Sequence, residues 1–192
     1  MVIDMLNSDV ILRAKYPEFD EEQYQPAGID LRAGKVYTID SSGPVVPGIY
    51  KTGKKLPKHV LVEPEEMEVP NFDMDGLTDE ELKEKLENPD NLRKALIYKL
   101  EPGVAYIIET KDEIYSKHAG QIYFPRSTLL RSGLNAMGAF GDPGFHTHLF
   151  FLVINYSDRV YHLEQDARFV QLIDLEIRDL VDKYDGEYND KS

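Results

Sequence analysis

The chain has 192 residues, 42% of them hydrophobic and 30% charged, with a formal net charge of −13. That composition fits an ordinary soluble globular domain and argues against a protein that grips nucleic acid polymers, because such a protein meets the phosphates with a basic face. Cysteine is absent, which excludes disulfides, thiolate metal sites and cysteine nucleophiles. No apolar run nears the roughly 20 residues of a membrane span. Met1 to Leu6 lacks the basic start and long apolar stretch of a signal peptide. A cytoplasmic protein without a membrane partner is expected.

In chain order, Asn7 to Tyr16 suits a short helix or strand, and Gly28 to Ile39 reads as strand, broken by Gly34. Ser41 to Lys58, rich in Gly, Pro and Lys, reads as loop. Between Leu61 and Asp90 twelve acidic residues stand against two lysines, so most of the acidity is local and marks a solvated face. Within it, Leu77 to Leu96 is the clearest helical stretch. Thr78 can cap, and Glu81 three residues on completes a capping box. Pro89 should break the run and leave a second short helix from about Asn91 to Leu96.

After Leu100 the pattern changes to strands at Val104 to Glu109, Gln121 to Phe124, Leu149 to Asn155, Val160 to Leu163 and Phe169 to Ile177. The nearly continuous apolar run Leu149 to Asn155 predicts a strand buried on both faces. Many short strands separated by turns predict a mainly β fold, a jelly-roll-like distorted barrel. It forms a single domain over 1–192 with an acidic helical insertion at about 61–97.

Four segments carry candidate chemistry: Pro26 to Arg32, Pro125 to Leu134, Gly141 to Phe145, and Ala167 to Ile173. In the second, Arg126 offers a planar donor fork suited to phosphate oxygens. Ser127 and Thr128 stand at a helix start whose free N–H groups favour an anion, and Arg131 lies one turn further. Read alone, this is also an Arg-Ser surface turn. In the third, Asp142-Pro143-Gly144-Phe145 is a tight turn whose carboxylate can take a proton from water, or serve only as a turn former.

In this order and at these separations the four segments resemble the first four motifs of the dUTPase and dCTP deaminase superfamily, over roughly Gln25 to Ile39 and Leu100 to Ile177. Within it the chain is similar to archaeal-type dUTPases of the dCTP deaminase family. The resemblance implies that Asp142 activates water and that Phe145 packs on the deoxyribose, leaving a 2′-hydroxyl without a partner. It implies that Arg126, Ser127, Thr128, Arg131 and Gln171 hold the triphosphate. Asp30 would lie near the Mg2+–phosphate region or support it indirectly; a backbone-satisfied Asp30 is the alternative. It also implies Mg2+ as cofactor, a homotrimer, and dUTP as substrate, converted to dUMP and pyrophosphate.

A deaminase resembling this chain would carry a catalytic glutamate ten residues beyond Asp142. Leu152 stands there, and no carboxylate occurs between Asp142 and Asp158. Hydrolysis is therefore expected, with dCTP deamination or a catalytically silent nucleotide-binding relative as alternatives. A glycine-rich fifth motif is absent. Lys183 to Tyr188 faintly resembles the closing segment of deaminases, but Glu187 would repel a triphosphate. His146 and His148, at i and i+2 on a strand, read as a half-buried histidine face rather than a zinc pair.

Overall fold

The computed structural model describes residues 16–40, 58–74, 76–115 and 119–176. Strands dominate: β1 (Tyr24–Gln25), β2 (Gly28–Asp40), β3 (Lys58–Val62), β4 (Glu65–Pro70), β5 (Leu92–Leu100), β6 (Ala105–Tyr115), β7 (Ala119–Pro125), β8 (Leu134–Met137), β9 (His146–Asn155), β10 (Tyr161–Glu164) and β11 (Arg168–Glu176). Two helices are described, α1 (Asp79–Glu87) and α2 (Ser127–Arg131).

The main sheet runs in the order β7-β11-β2-β6-β9-β8, with β1 and β3 also on β2. Every pairing is antiparallel. Its two ends meet where Gln121 of β7 bridges Gly141 in the loop after β8, so the sheet curls into a nearly closed barrel. Closure of this kind removes exposed strand edges. Alternate residues of each strand point inward, among them Ile29, Leu31, Ile108, Phe151, Val153, Phe169 and Leu172. Phe169 and Tyr123 both stand edge-on to Phe151, with centroids 5.5 and 5.4 Å away. Burying each such ring contributes roughly 1.5–3 kcal/mol.

The expected mainly β barrel is thus the observed one, but three local expectations need correction. The strand around Leu149 to Asn155 alternates instead of burying both faces: Leu149, Phe151 and Val153 are inside, whereas Phe150 is 52% exposed. The proposed helix from Asn91 to Leu96 is instead the first part of β5. A single-turn 3-10 helix at Pro89–Asn91 ends the run, and β5 then pairs with both β4 and β10, so two ladders of backbone hydrogen bonds outweigh local helix propensity. The acidic insertion is consequently helical only over α1. Its β4 and the first part of β5 join β10, from later in the chain, in a three-stranded sheet β10-β5-β4, crossed by ion pairs Lys94–Glu66 and Lys99–Glu65 and by the Arg93–Glu164 fork.

Gly34 marks a bulge in β2 rather than a break. The helix or strand proposed for Asn7 to Tyr16 lies outside the described residues except for Tyr16, as do the loop Ser41 to Lys58 except for Lys58 and the closing segment Lys183 to Tyr188.

Candidate active site

Asp142 stands at the start of a turn built by its own sequence. Pro143 presets one central torsion, Gly144 takes the positive φ of 92° that the next position requires, and Phe145 N–H closes the turn on the Asp142 carbonyl at 3.1 Å. The Asp142 side chain is exposed and Phe145 half-buried. Both line a cavity of about 430 Å³ whose wall is formed by Tyr123, the loop Gly138 to Gly141, and Thr147 to Phe151 of β9. The wall is largely apolar and aromatic, and among the described residues Asp142 is its one carboxylate. A cavity with apolar rings and a single acid at its edge suits a flat ring system with a reacting group held at the rim.

Arg126 caps α2 immediately after β7. Its Nε lies 3.0 Å from Oδ2 of Asp30, a β2 side chain only 3% exposed, and Arg168 Nη1 stands 3.8 Å from the same oxygen. The contact is a charge pair rather than a directed hydrogen bond, since Oδ2 has no hydrogen-bond partner of proper geometry. Burial raises the Asp30 pKa above the usual carboxylate value, and the charges of Arg126 and Arg168 pull it back. Arg168 also donates to the backbone carbonyl of Glu22. Among the described residues, neither terminal nitrogen of Arg126 has a partner. By contrast, neighbouring Arg32 is held by Asp112 at 2.6 Å and Asp20 at 2.7 Å. A second cavity, about 810 Å³, is lined by Arg126 and Arg168 together with Arg32, Arg93 and several acids.

Gln171 faces Asp30 across the β2–β11 ladder and Phe124 across β7–β11, which puts it on the same sheet face as the Asp30 pair. Ser127 and Thr128 open α2 with exposed side chains, and Arg131 is exposed in its last turn; Leu129 anchors the helix in the core. Two groups thus form within one chain. Asp142 and Phe145 share the first cavity, Arg126 lines the second, and the two cavities have no lining residue in common.

Residues 3–174 match the family model described as dCTP deaminase-like. The chain belongs to the dCTP deaminase-like family. It is 34% identical over 188 residues to a probable deoxyuridine 5′-triphosphate nucleotidohydrolase of Methanothermobacter thermautotrophicus, covering 97% of this chain and all of that one. It is 31% identical over 185 residues to the protein so named in Methanopyrus kandleri, covering 96% and 99%. Among solved structures, a 2′-deoxycytidine 5′-triphosphate deaminase from Agrobacterium tumefaciens superposes with a TM-score of 0.56 at 17% identity over 92% of this chain. The chain spans half the length of that structure, and the likeness is one of fold.

For a dCTP deaminase-like protein the residues of β9 beside the turn matter most. Leu152, ten residues past Asp142, pairs with Ile107 and Met137 and does not line the cavity. The stretch of β9 that does, Thr147 to Phe151, carries no acid either, so among the described residues the cavity has no second carboxylate. His146 pairs with Glu113 at 2.9 Å and stands edge-on to Tyr115. Among the described residues no group of three or more His, Asp or Glu side chains could hold a metal ion.

Sequence reasoning missed the polar side chains behind the turn, Gln121, Tyr123 and Asp174. A glutamine at an inward position of a strand was the available signal. The structure pairs Arg168 with Asp30 and Glu22.

Proposed function

We propose that the chain hydrolyses dUTP to dUMP and pyrophosphate and so limits uracil incorporation into DNA. The observation that carries this reading is that, among the described residues, Asp142 is the one carboxylate of an otherwise largely apolar cavity. Attack on a cytosine ring requires a group that shuttles protons at the base, and the β9 wall offers Phe150 and Phe151 where such a group would have to stand. Hydrolysis requires a base near the α-phosphorus instead. In this reading Asp142 takes a proton from water as the water oxygen attacks the α-phosphorus. The bond to the bridging oxygen breaks, and pyrophosphate leaves. Phe145 packs on the deoxyribose.

Arg126, Ser127, Thr128, Arg131 and Gln171 hold the phosphates. Asp30 acts through Arg126: it occupies Nε and leaves the terminal nitrogens for an anion. Its carboxylate is buried against two guanidinium groups, so any effect on a metal ion is indirect. Arg126 and Arg131 suit phosphate oxygens rather than a bare cation, so Mg2+ would arrive on the nucleotide. When bound there, Mg2+ neutralises triphosphate charge.

The active assembly is a homotrimer in the cytoplasm. Two features support the assembly. The base and the phosphate cluster line separate cavities within one chain, and Met137, Phe140 and Phe150 leave apolar side chains 43–52% exposed, as surfaces that pack against a partner do. The chain acts as one domain, with the acidic insertion as an embellishment.

Incubation with dUTP, dCTP, dTTP and UTP in the presence of Mg2+, followed by separation of products, tests the function. Release of dUMP from dUTP alone supports it. A deoxyuridine product from dCTP, or no product from any, overturns it.

A further inference from the structure

Behind the Asp142 turn the barrel holds a closed set of polar side chains. Gln121, fully buried on β7, donates from Nε2 to the Tyr16 hydroxyl at 3.1 Å and to Asp174 Oδ1 at 3.2 Å, and its Oε1 accepts from the Tyr123 hydroxyl at 2.9 Å. Tyr16 in turn donates to the Tyr115 carbonyl at 3.3 Å. Both amide protons and the amide oxygen are used, so the side chain cannot turn over without losing bonds. Burial, followed by the nearby Asp174 charge, raises the pKa of both phenols, which keeps them neutral donors.

The backbone of the same residue carries the turn. Gln121 N–H donates to the Gly141 carbonyl, and Gly141 N–H to the Gln121 carbonyl, each at 2.9 Å. Gly141 is pressed onto the cluster so closely that a Cβ there would lie 2.6 Å from Tyr123 Oη and 2.9 Å from Gln121 Oε1. The next residue is Asp142. An apolar side chain at 121 would fill the same space without the cost of burying an amide beside a carboxylate. A merely structural role therefore gives this cluster little reason to be polar.

We propose that Gln121 is a positioning residue for Asp142: the buried cluster of Tyr16, Tyr123 and Asp174 locks Gln121, and Gln121 clamps Gly141 and thereby sets where the Asp142 carboxylate meets the cavity. This rests on the reading of Asp142 as the base, and the test separates the two. Gln121→Met, Tyr123→Phe and Asp174→Asn proteins are compared with the unmutated chain for dUTP turnover, for melting temperature, and for hydrogen exchange over residues 138–145.

Gln121→Met and Tyr123→Phe are expected to speed exchange over 138–145 and to lower kcat by about tenfold to a hundredfold, with KM within about twofold, the size of effect that misplacement of a reacting group produces. Asp174→Asn keeps an acceptor for Gln121 and is expected to change both by less than Gln121→Met does. If Gln121→Met does not fold, Tyr123→Phe carries the test, because it keeps the ring that packs on Phe151. Unchanged exchange and kcat in the folded variants overturn the proposal. So does a lower melting temperature with the kcat of the folded protein intact, which would assign the cluster to stability alone. Faster exchange in the variants of a chain that shows no dUTP turnover would leave the clamp standing and overturn the function.

Discussion

Oδ2 of Asp30 and Nε of Arg126 stand 3.0 Å apart in the barrel wall, and the two members of the pair are unequally buried: the carboxylate is 3% exposed, the guanidinium 31%. Removal of one partner is therefore not equivalent to removal of the other. An arginine left without Asp30 can be solvated. Asp30 left without Arg126 keeps only Arg168, at 3.8 Å.

Arg126→Met is accordingly expected to destabilise the protein, and by an amount that depends on pH. Arg126 lowers the Asp30 pKa, so its loss raises the folded-state value further above that of the unfolded chain. A carboxyl whose folded pKa is raised costs nothing below the unfolded value, where it is protonated in both states. The cost is complete above the folded value. The gap between the variant and the unmutated protein should be small near pH 4, open as pH rises through the already raised Asp30 pKa of the unmutated protein, and reach about 1–3 kcal/mol near pH 7.5, discounted for the partial exposure of Arg126. Urea unfolding at both pH values measures it, and a gap that narrows with rising pH contradicts the argument.

On the proposed reading of the site, the same substitution removes a charge-assisted phosphate donor. Nucleotide affinity should fall by about 1.5–3 kcal/mol in a calorimetric titration. An unchanged affinity would leave Arg126 with a structural role only.

Phe145 is half-buried at the cavity wall and carries no group that could accept a 2′-hydroxyl. UTP should be a far poorer substrate than dUTP, because a hydroxyl pressed on an aromatic ring loses its hydrogen bonds to water at a cost of about 1–3 kcal/mol. Phe145→Ala should narrow the difference in kcat/KM between the two nucleotides. Equal turnover of both by the unmutated chain would remove this role from Phe145.

α1 buries none of its residues. It is held by its cap, with the Thr78 hydroxyl accepting from Glu81 N–H at 3.3 Å and the Glu81 carboxylate accepting from Thr78 N–H at 2.9 Å. Thr78→Ala should cost the helix about 1 kcal/mol and speed hydrogen exchange over 79–87. Because nothing in the core leans on α1, the global unfolding midpoint and dUTP turnover should not move. A shift in either would show that the insertion is coupled to the barrel.

The barrel was legible where a residue's neighbours in sequence decide its structure. Pro143 and Gly144 announce the Asp142 turn, Thr78 and Glu81 the start of α1, and alternation most of the strands. It was illegible where a distant ladder decides. Asn91 to Leu96 satisfies a helical reading until β4 and β10 take up the backbone groups of β5 on both edges. The site divides in the same way. Asp142, Phe145, Arg126 and Gln171 stand in short segments that can be recognised locally. The Gln121–Asp174 contact joins residues 53 apart, and nothing in either segment announces the other.

Asp142 bears the decisive test of the chemistry. Asp142→Asn keeps the size of the side chain and the turn hydrogen bond made by its backbone carbonyl, so the fold and the cavity should persist. What it loses is the capacity to take a proton. Nucleotide binding should be largely intact, while dUTP turnover falls by a factor of about 10²–10⁴, the range for loss of a general base. No deaminated product should form from dCTP before or after the change, because among the described residues Asp142 is the one acid of the cavity wall and Leu152 pairs with Ile107 and Met137 across the sheet. Turnover of dUTP at the original rate by Asp142→Asn would reduce Asp142 to a turn residue. Conversion of dCTP to a deoxyuridine nucleotide by the unmutated chain would mean that a carboxylate from elsewhere, such as a neighbouring subunit, reaches the base.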